Sequence, residues 1–147
     1  MPSEFKITRQ VEFADTDMIG IMHFSNFFRY MEACETAFLR SLGLALGDPT
    51  AKQNLGWPRV HASCEYQAPL RLGDTVEIHL FVKQAKGRVI SYVFRFRKLL
   101  PGGKFEDVAE GELTVVCVSI DLVPQKIVSR DLPPDVLAKL QPAQIPP

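Results

Sequence analysis

The sequence predicts an α+β domain in which a curved antiparallel β-sheet wraps around one long central α-helix. Two observations carry this. A single stretch, from about Ser25 to Leu42, has helical periodicity, whereas most of the remainder alternates apolar and polar residues between glycine-bearing turns. The order is strand, one long helix, then four strands. One helix cannot serve as the crossover for every strand, so a doubly wound parallel sheet is excluded.

Residues 5–13 alternate and form the first expected strand, and the polar run from Ala14 to Gly20 forms a turn. In the helix, Phe27, Met31, Cys34, Phe38 and Leu42 share one face, with Phe28 and Leu39 on its flank and Arg29, Thr36 and Arg40 opposite. So wide an apolar arc implies cover on more than one side, and Gly43 stands where a helix stops. Further strands are expected around Val60–Tyr66, Thr75–Lys83, Ile90–Arg97 and Phe105–Ile120. The breaks at Gly73-Asp74, Lys86-Gly87-Arg88 and Pro101-Gly102-Gly103 suit antiparallel neighbours. Leu132-Pro133-Pro134-Asp135 opens a short terminal helix. Such a sheet has edges and an outer face, and a second copy of the chain would cover both.

With 147 residues the chain has the size of one domain, spanning 1–147, with 142–147 expected as a frayed tail. Lys+Arg and Asp+Glu balance at 17 each, so no net field draws it to nucleic acid or to an anionic membrane. No apolar run is long enough for stable membrane insertion. Cys34, Cys64 and Cys117 are odd in number and form no C-x-x-C pair, which reads as free thiols in a reducing compartment. No basic-then-apolar leader is visible, and a cytoplasmic location is expected. Neither G-x-x-x-x-G-K-[ST] nor G-x-G-x-x-G occurs, which removes NTPase and dinucleotide-binding readings.

The chemistry concentrates between Phe13 and Phe27. Asp15 and Asp17 lie in a turn, Gly20 permits an unusual backbone, and a helix follows. The first amides of a helix lack internal partners and sit at the positive end of its dipole, so they can polarise a carbonyl oxygen. A carboxylate slightly upstream can approach the carbon of the same carbonyl. Taken alone, D-x-D reads as turn formers or helix caps. A metal is not expected, because no complete ligand set accompanies the pair.

The spaced set Val11-Glu12-Phe13-x-Asp15-x-Asp17-x-x-Gly20-Ile21-x-x-Phe24-x-Asn26-Phe27-x-Arg29-Tyr30 resembles the signature of the 4-hydroxybenzoyl-CoA thioesterase family. That family includes the bacterial acyl-CoA thioesterases associated with the Tol–Pal system. The resemblance continues through Leu39, Gly43, Gly56-x-Pro58, Leu72-x-Asp74-x-Val76-x-Ile78 and Val115–Val118. It implies a hotdog fold and hydrolysis of an acyl-CoA substrate without a metal or redox cofactor, coenzyme A being part of the substrate. It further implies Asp17 as nucleophile or general base, the Phe24 backbone N–H as the group polarising the thioester, Asp15 as organiser of the turn, and Gly20 as a point of close backbone approach. Two departures stand out. His23-Phe24 replaces the aromatic–His order common in the Tol–Pal branch, and Val89, with Ser91 two residues on, occupies a place where serine is usual.

Several residues carry two readings. His23 either lines the site or caps locally. Glu32, on the border of the apolar arc, is a candidate pocket wall. Glu35 lies inside the arc, where a bare charge is costly. It reads first as an interface ion pair with Arg29 or Arg40 of a neighbouring subunit, and second as another site carboxylate. Trp57 either walls an acyl pocket or packs in the core. His61 reads as exposed. Lys86 and Arg88 flank Gly87 at a hairpin tip; the resemblance implies a grip on the CoA phosphates, while exposed turn cations are ordinarily solvated. Three functions follow: acyl-CoA thioester hydrolysis by a homodimer or homotetramer, a hydratase or dehydratase on the same fold using His23 or His61 with Glu32 or Glu35, and a non-catalytic acyl-binding module.

Overall fold

The computed structural model describes residues 3–44, 55–122 and 125–147. The first strand, β1 (Glu4–Gln10), leads through a single 3₁₀ turn (Phe13–Asp15) into the long helix α1 (Asn26–Ser41). Then follow β2 (Leu55–Gly56), β3 (Arg59–Tyr66), β4 (Thr75–Lys86), β5 (Val89–Leu99), β6 (Phe105–Val116), β7 (Val118–Leu122), β8 (Gln125–Ser129) and the short α2 (Pro134–Lys139). The main sheet has the order β1-β4-β5-β6-β3, antiparallel throughout, and β2-β7-β8 form a second small sheet. This is the hotdog arrangement expected above.

Helix α1 ends as its sequence requires. Gly43 has φ +74°, and Leu44 N–H reaches back to the Leu39 carbonyl at 2.8 Å, the long-range bond of a left-handed C-terminal cap. Its buried face carries Phe27, Tyr30, Met31, Cys34, Phe38 and Leu39. These pack on one face of the sheet, where Val76, Ile78, Leu80 and Val82 of β4 and Ile90, Tyr92, Phe94 and Phe96 of β5 are buried, as their alternation predicts. Each such side chain contributes about 1.5–3 kcal/mol on leaving water. A Cβ added to Gly111 of β6 would meet Met31 Sδ at 2.8 Å, so this glycine lets the helix settle close on the sheet.

Five expectations need correction. The strand over 105–120 is two strands, divided at the buried Cys117, where the chain leaves the main sheet. There Cys117 N–H donates to the Arg88 carbonyl and its own carbonyl accepts from Arg130 N–H. Strands β2 and β8 were not foreseen; two residues and a terminal segment give too little alternation to register. The Gly73-Asp74 turn does not join neighbours. β3 lies at the far edge, and the turn instead holds the end of β1, through Val11 N–H to Asp74 O and Gly73 N–H to Val11 O at 2.9 Å each. β3 is an edge strand with a register shift between Arg59 and His61, so Val60 is 62% exposed rather than core. The segment 142–147, expected to fray, is hydrogen-bonded to the sheet: Ala143 N–H donates to the Val82 carbonyl, and Arg95 donates to the Pro146 carbonyl.

The outer face is partly covered by the chain itself. Phe81 and Val93 are buried there, and Arg97–Glu77 (2.7 Å) and Lys83–Glu112 (3.2 Å) pair across it.

The most unusual core residue is Glu35, which is 0% exposed. Its partner is Arg59 of the same chain, not Arg29 or Arg40 of a neighbour: Arg59 Nη2 and Nη1 lie 2.5 and 3.3 Å from its two carboxylate oxygens. Burial pushes the Glu35 carboxyl above its ordinary value while the Arg59 guanidinium pulls it back. The Tyr92 hydroxyl is buried beside the pair without a hydrogen bond of proper geometry.

Arg59→Met strands a buried carboxylate and is expected to cost about 3 kcal/mol at neutral pH. With a raised folded pKa, the folded state keeps a proton that the unfolded state releases near 4.5. The cost of ionising Glu35 is thus absent at low pH and grows as pH rises. The Arg59→Met deficit should shrink toward acid, and Arg59→Met with Glu35→Leu should recover most of it. Urea unfolding midpoints at acid and neutral pH test this; a pH-independent deficit counts against it.

Candidate active site

The loop between β1 and α1 is built around Asp15. Its Oδ2 accepts the Glu12 N–H (2.9 Å) and the Tyr30 hydroxyl (2.7 Å), while its carbonyl accepts the His23 N–H (2.9 Å) and Asn26 Nδ2 (2.7 Å). One residue therefore ties the end of β1, the return of the loop and the first turn of α1 together. Burial, and then the neighbouring Asp15 carboxylate, push the Tyr30 phenol well above its ordinary value, so it stays a donor. Arg9 lies over the Tyr30 ring at 5.4 Å. A further bond, Met22 N–H to the Leu70 carbonyl at 2.7 Å, fastens the loop to the β3–β4 connection.

Asp17 opens a tight reversal. Gly20 N–H closes on the Asp17 carbonyl at 3.0 Å, Asp17 N–H donates to the Ile21 carbonyl at 2.8 Å, and Thr16 bridges Met22. Gly20 has φ +90°, a conformation that non-glycine residues rarely adopt. Nothing lies within 4 Å of the place its Cβ would take, so within this chain the constraint is the dihedral angle, not crowding. The Asp17 side chain does part of the work of a turn former: Oδ1 accepts Ile19 N–H at 2.8 Å and Ile21 N–H at 3.4 Å. Among the described residues Oδ2 has no hydrogen bond, and the side chain is half-buried. The carboxylate is thus oriented through one oxygen and free at the other.

At the start of α1 three successive peptides divide their duties. His23 N–H is taken by Asp15, and the His23 carbonyl accepts Asn26 N–H at 2.9 Å. The Phe24 carbonyl accepts the Tyr66 hydroxyl at 3.0 Å, and Ser25 N–H donates to His23 Nδ1 at 3.3 Å. Of the N–H groups of these three residues, that of Phe24 has no acceptor among the described residues. Because the peptide is planar and trans, a His23 carbonyl turned toward Asn26 leaves the Phe24 N–H pointing the opposite way, out of the helix. The His23 ring also takes Ser25 Oγ at 2.7 Å and stacks on Phe24 at 4.5 Å. The His23 ring thus fastens the helix start locally, and with Nδ1 accepting, the proton of the neutral ring belongs on Nε2.

The other candidates lie elsewhere. Trp57 is half-buried against the core, and its carbonyl accepts Arg59 Nη1 at 3.0 Å. Glu32 is exposed, 3.8 Å from Arg59, and lines a groove of about 710 Å³ between β1 and the solvent side of α1 with Arg9, Arg29 and Arg40. Neither Asp17 nor Phe24 lines that groove. Glu35 is sealed by Arg59 and presents nothing to a cleft. His61 is exposed on the edge strand. Arg88 is held by Asp131 (3.3 Å) and Ser129 (2.8 Å), and among the described residues Lys86 of that hairpin tip has no partner. Around the loop and the neighbouring edge, Phe13, Met18, Ile19, Phe24, Val60 and Leu72 are largely exposed apolar side chains. Among the described residues no group of three or more His, Cys, Asp or Glu is placed to hold a metal ion, and no helix is long and apolar enough to cross a membrane. Tyr66 and Arg59 were not singled out in the sequence: each acts through a partner 42 or 24 residues away, and no local pattern announces that.

The sequence profile of the thioesterase-like superfamily matches residues 11–140. A 1,4-dihydroxy-2-naphthoyl-CoA hydrolase from Prochlorococcus marinus is 28% identical over 99 residues, 63% of this chain and 66% of that protein. Among solved structures, a 1,4-dihydroxy-2-naphthoyl-CoA thioesterase from Synechocystis is 25% identical with a TM-score of 0.74, covering 90% of this chain and 92% of that one. A gentisyl-coenzyme A thioesterase is 26% identical with a TM-score of 0.75, covering 90% and 98%. The chain spans less than two thirds of the length of the first curated relatives that it matches, with shares of 62%, 66% and 64%.

Asp15→Ala removes the acceptor of two bonds and should cost about 2–3 kcal/mol, against about 1–2 kcal/mol for Tyr30→Phe. The double variant should lose less than the sum, because the two share one bond. Denaturant unfolding of the four proteins reads this directly, and strict additivity would show that the bond does not hold the loop.

Proposed function

The chain belongs to the thioesterase-like superfamily, and from that premise we propose that it hydrolyses acyl-CoA thioesters to a free acid and CoA. The observation that carries the proposal is the pairing, on one short loop, of a carboxylate with a free oxygen and a helix-start N–H with no acceptor. The Phe24 N–H binds the thioester oxygen and stabilises the negative charge that develops on it. Asp17 Oδ2 either attacks the carbonyl carbon, giving an acyl anhydride that water then opens, or takes a proton from the water that attacks. Either route expels the CoA thiolate and ends at the same acid. Carboxylate and amide suffice for this chemistry, so the proposal gives no metal or redox cofactor a part.

For the acyl group we favour an aromatic ring. The relatives compared carry naphthoyl- and gentisyl-CoA in their names, and the loop is bordered here by Phe13, Phe24 and Tyr66. The exposed apolar side chains around the loop and along β3 support a homodimer or homotetramer that covers them and completes the acyl pocket, with Trp57 as a wall. Gly20 and His23 shape the loop that receives the thioester, and Glu32 is a wall residue reached from the neighbouring subunit. Lys86, with Arg88 held beside it, supplies positive charge to the CoA phosphates. A reducing, cytoplasmic setting accords with the three free cysteines. The hydratase reading has less support, because Glu35 is closed off by Arg59.

Asp17→Asn preserves the Oδ1 acceptor, and with it the turn, while removing the charge. Thiol release from benzoyl-, hydroxybenzoyl- and hexanoyl-CoA should fall by about 100-fold or more in kcat, with unfolding midpoints unchanged. Wild-type turnover by this variant would end the mechanism. Enoyl-CoA hydration without thiol release would favour the hydratase, and saturable binding without turnover a carrier module.

A further inference from the structure

We infer that Tyr66, on edge strand β3, is a positioning residue for hydrolysis: its hydroxyl holds the Phe24–Ser25 peptide and so steadies the backbone of Phe24, whose N–H faces the thioester oxygen. The inference rests on the thioesterase reading above.

The geometry is that of a clamp on one residue. On the N-terminal side of Phe24, the His23–Phe24 peptide is oriented by its carbonyl, which accepts Asn26 N–H at 2.9 Å. On the C-terminal side, the Phe24–Ser25 peptide is held at both ends, by the Tyr66 hydroxyl on its oxygen at 3.0 Å and by His23 Nδ1 on its nitrogen at 3.3 Å. With both flanking peptide planes set, φ and ψ of Phe24 are set too, and so is the direction of its N–H. The weaker contacts within the helix do not do this alone: the only other bond to the Phe24 carbonyl among the described residues is Phe27 N–H at 3.4 Å. Ser25, at the N-cap, makes no side-chain cap hydrogen bond. Beside the local bond from Ser25 N–H to His23 Nδ1, Tyr66 adds a hold from another element.

Tyr66 is itself well anchored. Its ring meets Phe27 edge to face at 5.0 Å, and Phe27 in turn meets Phe96 at 5.2 Å, so the phenol is referenced to the core. Its backbone is paired in register with Ala109 of β6. Burial, then the nearby Cys64, push the phenol up to about 12, so the hydroxyl remains a donor throughout any working pH range. A hydroxyl that keeps its proton suits orientation rather than proton transfer. An oxyanion donor gains its advantage from being aimed before the charge appears, and displacement of a reacting group by about 1 Å can cost on the order of 100-fold.

The test is Tyr66→Phe, which keeps the ring against Phe27 and removes only the hydroxyl. On benzoyl-CoA, kcat should fall about 10-fold, less than the ~100-fold typical of losing an oxyanion donor outright. KM should change by no more than about 2-fold, and the pH profile of kcat should keep its shape. The carbonyl stretch of benzoyl-CoA bound to Asp17→Asn should lie below that of the free thioester and move back toward it in Asp17→Asn/Tyr66→Phe. A structural role alone would lower the unfolding midpoint without moving that frequency. Wild-type kcat with an unshifted carbonyl band in the Tyr66→Phe proteins overturns the assignment. Failure of the wild-type chain to release thiol from any acyl-CoA overturns the thioesterase reading instead, and the assignment with it.

Discussion

The candidate site depends on the carboxylate and carbonyl of Asp15. Four donors from three parts of the chain meet on this residue, and without it the end of β1, the reversal at Gly20 and the first turn of α1 would be separate flexible pieces. Hydrogen bonds to a charged acceptor are among the stronger ones available to a partly exposed loop. The consequence for chemistry is a division of labour between two neighbouring acids. Asp15 spends its bonding capacity on structure, and this leaves Asp17, tethered through one oxygen only, with the other available. The same holds one step on, where every peptide around Phe24 is engaged except its own N–H.

The helix and the edge strand are coupled at two levels. Near the N-terminus of α1 the link is Tyr66 to the Phe24 carbonyl; about three turns further along it is Arg59 to Glu35. Both contacts use the two ends of β3, a strand with no fully buried residue that carries the exposed Val60 and His61. An edge strand of this kind has little apolar burial to hold it in place. Polar contacts to the helix therefore define where it sits, and through it where Trp57 and the helix start sit. A buried ion pair is a poor source of net stability but a demanding geometric constraint, which suits a contact whose task is registration.

Features set by near neighbours in the chain and features set by distant pairing divide along the same line. The burial of β4 and β5, the extent and end of α1, and the Pro-initiated α2 follow from periodicity and cap residues, and all were legible. The candidate turn was legible as a carboxylate pair before a helix, and its resemblance to a thioesterase signature supplied the roles. What escaped was set by pairing over distance. β3 alternates like a half-buried strand but lies at an edge; the run 105–120 alternates without interruption but changes sheet at Cys117; Glu35 was assigned a partner in another subunit when Arg59 stood across the same chain.

The sequence by itself thus determined which residues form the helix, which face of each central strand is apolar, and where a carboxylate precedes a helix start, because periods of 2 and 3.6 and terminal caps act between near neighbours in the chain. Tertiary structure alone decided strand order, the edge position of β3, the close seat of Met31 on Gly111, and which polar groups satisfy one another around Asp15, Glu35 and Phe24. Those choices are made by packing and by the need to partner buried polar groups, and residues forty or more positions apart leave no local trace of the partner they will find.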